Sequence, residues 1–467
     1  MRWAMLAFES TYADLPARFY TAMQATAVAD PSWLAVNDGL AQDLGTSGAD
    51  IRAHLEVFAG NTPPAGAQPL AQVYGGHQFG HWSGQLGDGR ALLLGEVIDT
   101  QGNRRDVQLK GAGPTPYSRS GDGRSALGPV VREFLVSEAM AALGVPTTRA
   151  LCAVRTGQQV LRQSGWEPGG ILTRVAASHI RVGTFQWLAS QGDREGVAAL
   201  VDYTLNRHAP DREGPLGLLA HAMHAQAHLI AEWMGLGFIH GVMNTDNMTL
   251  SGETIDYGPC AFMEGYTPGQ VFSSIDQMGR YAYSNQPNIA LWNLAQLATA
   301  LLPLWDDQEA GIAEMTDALE QFHTAYAAAW ESKLAAKIGL ERAHFGLGVE
   351  LLELMAAERA DFTNTFRALA SDTAHTLFTD TAPYAAWHAK WQAHAPDHTL
   401  IARTNPAVIP RNHRIQEAIT ACDAGDDAPF HALWDVLRDP FAETDANAPY
   451  RQHATPEEAV TRTFCGT

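Results

Sequence analysis

The sequence predicts an α+β protein in two lobes, a β-rich N-terminal lobe followed by a large helical C-terminal lobe. Three observations carry the prediction. Short apolar runs in strand-like alternation, set among glycines, occupy Val73 to Val160; apolar residues recur at helical spacing after Pro215; and the stretch His240 to Gly258 gathers oxygen ligands suited to a metal bound to a nucleotide.

In chain order, residues 1–60 read as a mostly helical extension. Thr62-Pro63-Pro64-Ala65-Gly66 breaks it from the first lobe, expected over 61–170. There, Gly84-Gln85-Leu86-Gly87-Asp88-Gly89-Arg90 leads into the apolar run Ala91 to Ile98, a turn at Gln101-Gly102-Asn103, and the strand Asp106 to Lys110. Glycines let backbone approach phosphates closely, and a lysine on the adjoining strand supplies a point charge for their oxygens. Gly128-Pro129 then opens a helix over Val130 to Leu143 that stops at Gly144, with Pro146 beyond. A site of this kind needs an acid on that helix to orient Lys110; Glu133 is the first choice and Glu138 the alternative. Glu167-Pro168-Gly169-Gly170 reads as a second break near a hinge, followed by a catalytic segment over 171–300. Ala310 to Leu340 and Leu347 to Leu369 read as amphipathic packing helices of a C-terminal region, 301–467.

Within His240 to Gly258, Met248 to Leu250 and Thr254-Ile255 are β-prone and joined by Ser251-Gly252-Glu253, which suggests a hairpin. Pairing Leu250 with Thr254 would bring Asn247 and Asp256 together at its open end, a carboxamide and a carboxylate for one hard divalent cation. Asp246 points elsewhere. Kinase-like enzymes use such an Asp and Asn ahead of an Asp-aromatic-Gly sequence, here Asp256-Tyr257-Gly258. His240 is expected to fix backbone.

The block Tyr74 to Ala91 resembles the signature of the selenoprotein O family, called YdiU in bacteria. So do Leu109 to Arg119 with Gly121-Asp122-Gly123-Arg124, Ser178 to Phe185, and His240 to Gly258; Asn405-Pro406, Pro410-Arg411-Asn412 and the terminal Cys465-Gly466-Thr467 extend the likeness over nearly the whole chain. The resemblance implies a protein-kinase-like fold that binds ATP flipped relative to kinases and transfers AMP to protein hydroxyls, releasing pyrophosphate. It implies nucleotide contacts at Gly87, Gly89, Arg90, Asp122, Gly123 and Asp256, and a phosphate lysine at Lys110 oriented by Glu133. It further implies phosphate-holding arginines at Arg174 and Arg181, a proton acceptor at Asp246, and Mg²⁺ or Mn²⁺ ligands at Asn247 and Asp256. Some bacterial members pair a terminal cysteine with one near the active site. Here Cys465 fits the terminal position, but Val271-Phe272-Ser273-Ser274 has no cysteine, and Cys260 reads as a small buried thiol.

Composition narrows the rest. Four scattered cysteines in 467 residues argue for a reducing compartment. A formal charge of −20 disfavours nucleic-acid partners, and with no long apolar run or secretory start the chain reads as cytoplasmic, without a membrane partner. His221, His224 and His228 at helical spacing would allow zinc, but they lack a fourth ligand, so a solvated helical face is the expected reading. The rivals to AMP transfer are phosphotransfer, transfer of another nucleotidyl group such as UMP, and a silent nucleotide-binding scaffold; an intact Lys110, Asp246, Asn247 and Asp256 set weighs against the last.

Overall fold

The computed structural model describes residues 6–464. Its architecture is mixed α and β, organised on one antiparallel eight-stranded sheet. The strands are β1 (Tyr20–Ala22), β2 (Ser32–Val36), β3 (Leu70–Gln72), β4 (Ala91–Ile98), β5 (Arg104–Lys110), β6 (Ser125–Ala126), β7 (Arg149–Arg162) and β8 (Gly165–Ala176). Across the sheet the order is β1-β3-β4-β5-β8-β7-β2, with β6 added to β8. The expected hairpin of β4 and β5 forms, with Ala91 opposite Lys110, and Leu172 of β8 lies on the other side of that lysine. Lys110 therefore ends a central strand.

Both faces of the sheet are covered, which is why β4 is buried from Ala91 to Val97 rather than alternating with solvent. On one face Leu92, Leu94, Val107 and Ile171 pack with Ala41, Ile51 and Phe58 from short helices between Asp38 and Phe58. On the other, Leu93 and Leu172 pack with α1 (Leu127–Ala142). That helix ends as the sequence predicts, with Gly144 in the left-handed region at φ 81°. Helices Asn412–Asp423 and Ala428–Leu437 return from the far end of the chain to its outer side, where the Phe134 ring lies 5.5 Å from Phe430 and 4.8 Å from Trp434.

Larger helices follow the sheet: α2 (Val182–Ser190), α3 (Arg194–His208), α4 (Gly214–Leu236), α5 (Gln286–Leu301) and α6 (Gln308–Lys337). A buried network fastens α3 to the sheet. Asp106 of β5 accepts from Arg207 Nη2 at 2.5 Å and from the His179 backbone N–H at 2.9 Å. Burial raises the Asp106 carboxyl, but Arg207 and His179 outweigh it and bring it down to about 2.

Three expectations need correcting. Residues 1–60 are not mostly helical, because Trp33 to Val36 pair with β7 and Tyr20 to Ala22 with β3, partners too distant in sequence for local pattern to reveal. The supposed break at Glu167 to Gly170 lies inside β8, as a register slip between Pro168 and Gly170. Glycine at 170 gives α1 room to cross there, since a Cβ would stand 3.1 Å from Val130 Cγ2 and 3.2 Å from Leu127 Cδ1. Finally, the helix expected over Leu347 to Leu369 is two, Phe345–Glu358 and Phe362–Ala368. Arg359 turns left-handed at φ 54°, and Asp361 restarts the helix by accepting the Asn364 N–H.

Candidate active site

Phe238-Ile239 pairs with Ala261-Phe262, so the polar loop between them is held at both ends. His240 is fully buried and fixes backbone as expected: its Nε2 bonds the Ile255 carbonyl at 2.8 Å, and the Val242 N–H donates to its Nδ1 at 3.3 Å. The expected hairpin does not form. Thr249 bridges to Arg181 and Thr254 to Thr147, because the chain just before α2 and the chain just after α1 take the backbone partners. Thr249 instead closes the turn with its side chain, donating to the Glu253 carbonyl at 2.7 Å and accepting the Glu253 N–H at 3.0 Å. Asn247 and Asp256 nevertheless line one cleft together with Asp246.

The cleft, about 730 Å³, has charged groups at its centre. Lys110 Nζ donates to Glu133 Oε2 at 2.5 Å and to Asp256 Oδ1 at 2.8 Å. Glu138 is not available to Lys110, since its carboxylate receives Arg149 at 2.8 and 2.9 Å and Asn37 at 2.7 Å. Arg174, from β8, grips Glu133 Oε1 through Nε at 2.9 Å and Nη2 at 2.5 Å and reaches Asp256 Oδ1 at 2.7 Å. Arg181 donates to the Asp246 carbonyl at 2.8 Å, approaches Asp256 Oδ2 at 3.5 Å, and lies 4.5 Å above the Tyr74 ring. Burial would raise Asp256, but Lys110, Arg174 and Arg181 together hold it well below the usual carboxylate range. Burial likewise opposes ionisation of Glu133, and Arg174 and Lys110 prevail.

Asp246 is different. Burial pushes its carboxyl up to about 6 despite Arg181 and Gln78. Its Oδ2 accepts from Gln78 Nε2 at 3.1 Å, while its Oδ1 is buried without a hydrogen-bond partner. An orphaned carboxylate oxygen costs free energy unless a ligand completes it. Asn247 donates its Nδ2 to the Val242 carbonyl at 3.0 Å, which fixes the carboxamide and leaves Oδ1 as the atom able to ligate. Among the described residues no cluster of three or more His, Cys, Asp or Glu could hold a metal unaided. The fit is therefore to a hard cation that arrives with phosphate oxygens, completed by Asn247 and Asp256.

The glycine-rich walls also line the cleft: Gly87, Gly89, Arg90, Asp122 and Gly123. These glycines answer to packing as well as to any ligand. A Cβ at Gly87 would stand 2.5 Å from the Tyr117 ring, one at Gly89 2.8 Å from the Tyr117 carbonyl, and one at Gly123 2.1 Å from Gly113. Asp122 pairs with Arg162 at 2.8 Å and accepts the Arg124 N–H at 2.9 Å.

Several cleft residues escaped the sequence reading. Gln78 bonds Asp246, and Tyr74 carries Arg181. Asp88 is buried and raised to about 6 by burial, with Arg181 the main opposing charge. Arg132, beside Glu133, donates to the carbonyls of Tyr257, Gly258 and Cys260 and so anchors the chain just after Asp256. An arginine adjacent to a site glutamate was the one available signal. Cys260 is buried, as expected, and burial raises its thiol. Cys465 lies outside the described residues, but Ser273 bridges to Thr463, which brings the end of the described chain beside Val271 to Ser274. His224 and His228 are exposed, and half-buried His221 bonds the Leu250 carbonyl at 3.1 Å.

With this geometry in hand, comparison with known proteins is decisive. The family described as protein adenylyltransferase SelO matches residues 2–438. The chain belongs to the SelO family. It is similar to proteins named protein nucleotidyltransferase YdiU: 56% identical to that of a Jannaschia species, 55% to that of Roseobacter denitrificans and 54% to that of Ruegeria pomeroyi, in each case over 98% of this chain and 99% of the relative. As a SelO-family member the chain is an enzyme, a nucleotidyltransferase, with a nucleotide as donor and protein as acceptor. Among the described residues no helix is long and apolar enough to cross a membrane.

Proposed function

We propose that the chain transfers AMP from ATP to Ser, Thr or Tyr hydroxyls of proteins, in a kinase-like two-lobed arrangement with the nucleotide in the cleft between sheet and helices. The observation that carries this reading is the orphaned Oδ1 of Asp246, next to a floor where Lys110, Arg174 and Arg181 converge on Asp256. Lys110, Arg174 and Arg181 converge there on Glu133 and Asp256, with Asp88 3.9 Å from Arg181, so the charges balance and the floor offers a set of cationic donors suited to phosphate oxygens. Arg174 and Lys110 bind and orient phosphate oxygens while Glu133 holds both in place; Arg90, Gly87, Gly89, Asp122 and Gly123 line the walls around the nucleotide.

In the reaction, Asp246 Oδ1 accepts the proton of the acceptor hydroxyl as its oxygen attacks the α-phosphorus. The bond from the α-phosphorus to the bridging oxygen breaks, and pyrophosphate leaves with that bond's electron pair. Gln78 keeps Asp246 aimed by holding its other oxygen. Asn247 and Asp256 would hold Mg²⁺ or Mn²⁺, which when bound neutralises charge developing on the phosphates. The soluble, cytoplasmic setting inferred from composition completes the reading, with no nucleic-acid or membrane partner.

The test uses ATP labelled on either the α- or the γ-phosphate, with a general protein acceptor. Label from the α-position should stay on protein. Transfer of γ-label alone would establish phosphotransfer instead, and UTP used in preference to ATP would establish uridylyl transfer.

A further inference from the structure

At the outer rim of the site, beyond the residues that line the cleft, lies an apolar surface. Met278 is 92% exposed, Ile275 57% and Phe464 67%. Ile275 and Met278 lie three residues apart on one loop, and the Ser274 N–H, donating to the Thr463 carbonyl at 2.9 Å, brings the segment that carries Phe464 alongside that loop. Two residues past Met278, the Arg280 guanidinium lies 4.6 Å over the Trp292 ring, and Trp292 shares His77 as a neighbour with Trp82, which is 44% exposed. Large apolar side chains in such density on a folded surface mark an interaction site.

This surface is built onto the catalytic loop. Trp82 belongs to a small hairpin, His77-Gln78 paired with His81-Trp82. The His77 N–H donates to Thr245 Oγ1 at 2.7 Å, Gln78 Nε2 to Asp246 Oδ2 at 3.1 Å, and the Phe79 N–H to Asn244 Oδ1 at 3.0 Å. Tyr281, next to Arg280, donates its hydroxyl to the same Asn244 oxygen at 2.6 Å. One set of bonds therefore holds both this surface and the loop that carries the proton-accepting group.

Charge selects what lies there. Arg280 forms no ion pair among the described residues, and its Nε is buried without a hydrogen-bond partner. The Asp276 carboxylate, four residues before Arg280, is spent on the backbone N–H groups of Arg280 and Tyr281 at 2.9 and 2.8 Å. In a protein of formal charge −20, a cation presented on an aromatic ring at the cleft mouth is a local exception.

We infer that this rim is the docking face for the acceptor polypeptide, which binds as an extended segment with an acidic residue against Arg280 and an apolar residue on Met278, Ile275 and Phe464, its hydroxyl presented to Asp246. The inference rests on the adenylyl-transfer reading and adds to it the local sequence of the acceptor. Polypeptides rather than small alcohols are the acceptors because the patch extends well beyond the cleft.

The test is a peptide array with a fixed central Ser, Thr or Tyr and randomised flanks, incubated with the full-length enzyme and α-labelled ATP. Labelled peptides should be enriched in Asp or Glu on one flank and in large apolar residues on the other. Arg280→Glu should raise KM for acidic peptides by about fivefold, the scale of one partly desolvated ion pair, and shift the preference to Lys or Arg. Met278→Asp, at a position too exposed to disturb folding, should erase the apolar preference. ATP affinity, measured by calorimetry, should be unchanged in both variants. An array profile identical in wild type and variants overturns the docking face while leaving adenylyl transfer intact. Absence of α-label on any peptide or protein overturns the reaction itself and the docking face with it. If Met278→Asp instead splits a dimer seen by light scattering with no change in peptide KM, the patch is a contact between two copies and the inference fails.

Discussion

Glu133→Gln should destabilise the fold more than Lys110→Ala does, although glutamine nearly matches glutamate in shape. Three buried cations, Lys110, Arg174 and Arg181, meet buried Glu133 and half-buried Asp256 at the cleft floor, with Asp88 3.9 Å from Arg181. Removing Lys110 leaves two cations with two carboxylates, and Arg174 still bonds both acids. Removing the charge of Glu133 leaves Lys110 and Arg174 with Asp256 as their one remaining carboxylate partner, with three charged hydrogen bonds impaired. Breaking a buried pair from one side costs about 3–5 kcal/mol, whereas losing a bond whose partner keeps another costs about 1–2 kcal/mol. Urea unfolding of the full chain, followed by tryptophan fluorescence, reads the difference. Because a triphosphate supplies the missing negative charge, ATP should stabilise Glu133→Gln more than it stabilises the wild type. A variant Lys110→Ala less stable than Glu133→Gln, or equal stabilisation of wild type and Glu133→Gln by ATP, would refute the charge argument.

Other consequences are simpler. Asp256→Ala should abolish transfer and weaken metal-dependent nucleotide binding, since Asn247 alone offers a neutral oxygen; normal turnover with Mg²⁺ would remove the pair as metal ligands. Asp246→Asn should lower turnover by roughly 10²–10⁴-fold, the usual contribution of a general base, with nucleotide affinity retained in a binding titration. Asp106 ties β5 to Arg207 and His179, and its folded pKa of about 2 lies below the ordinary 3.8. A depressed carboxyl stabilises above its unfolded pKa, so up to about 2.5 kcal/mol should be present at neutral pH and lost as pH falls from about 4 to 2. Asp106→Asn should flatten the stability profile in that window; an unchanged acid limb would show that the network carries no such energy.

Legibility in the sequence followed the range of the interactions. The β4–β5 hairpin and the end of α1 at Gly144 are set by residues close in sequence and are legible there, whereas the anchoring role of His240, whose partner Ile255 lies farther along the chain, follows from likeness to kinase catalytic loops. Glu133 and Glu138 sit on one helix and could not be separated by pattern; what divides them is Arg149, which claims Glu138 from a neighbouring strand. The hairpin expected at Met248 to Asp256 failed for a similar reason, since Arg181 and Thr147 supply better backbone partners than the local turn. Gln78 and Asp88 were overlooked because their importance lies in burial and in contacts more than a dozen residues away. Arg174 was placed at the nucleotide by resemblance, and the structure adds that it is equally a partner of Glu133.

The stitching of the His77 to Trp82 hairpin to Thr245, Asp246 and Asn244 has an evolutionary consequence. The segment that meets the acceptor also holds the proton-accepting carboxylate, so the two cannot drift independently. A substitution within that hairpin will shift reactivity along with acceptor choice, whereas changes at the exposed Met278 or Phe464 leave the Gln78 bond to Asp246 in place, so new targets should be acquired there.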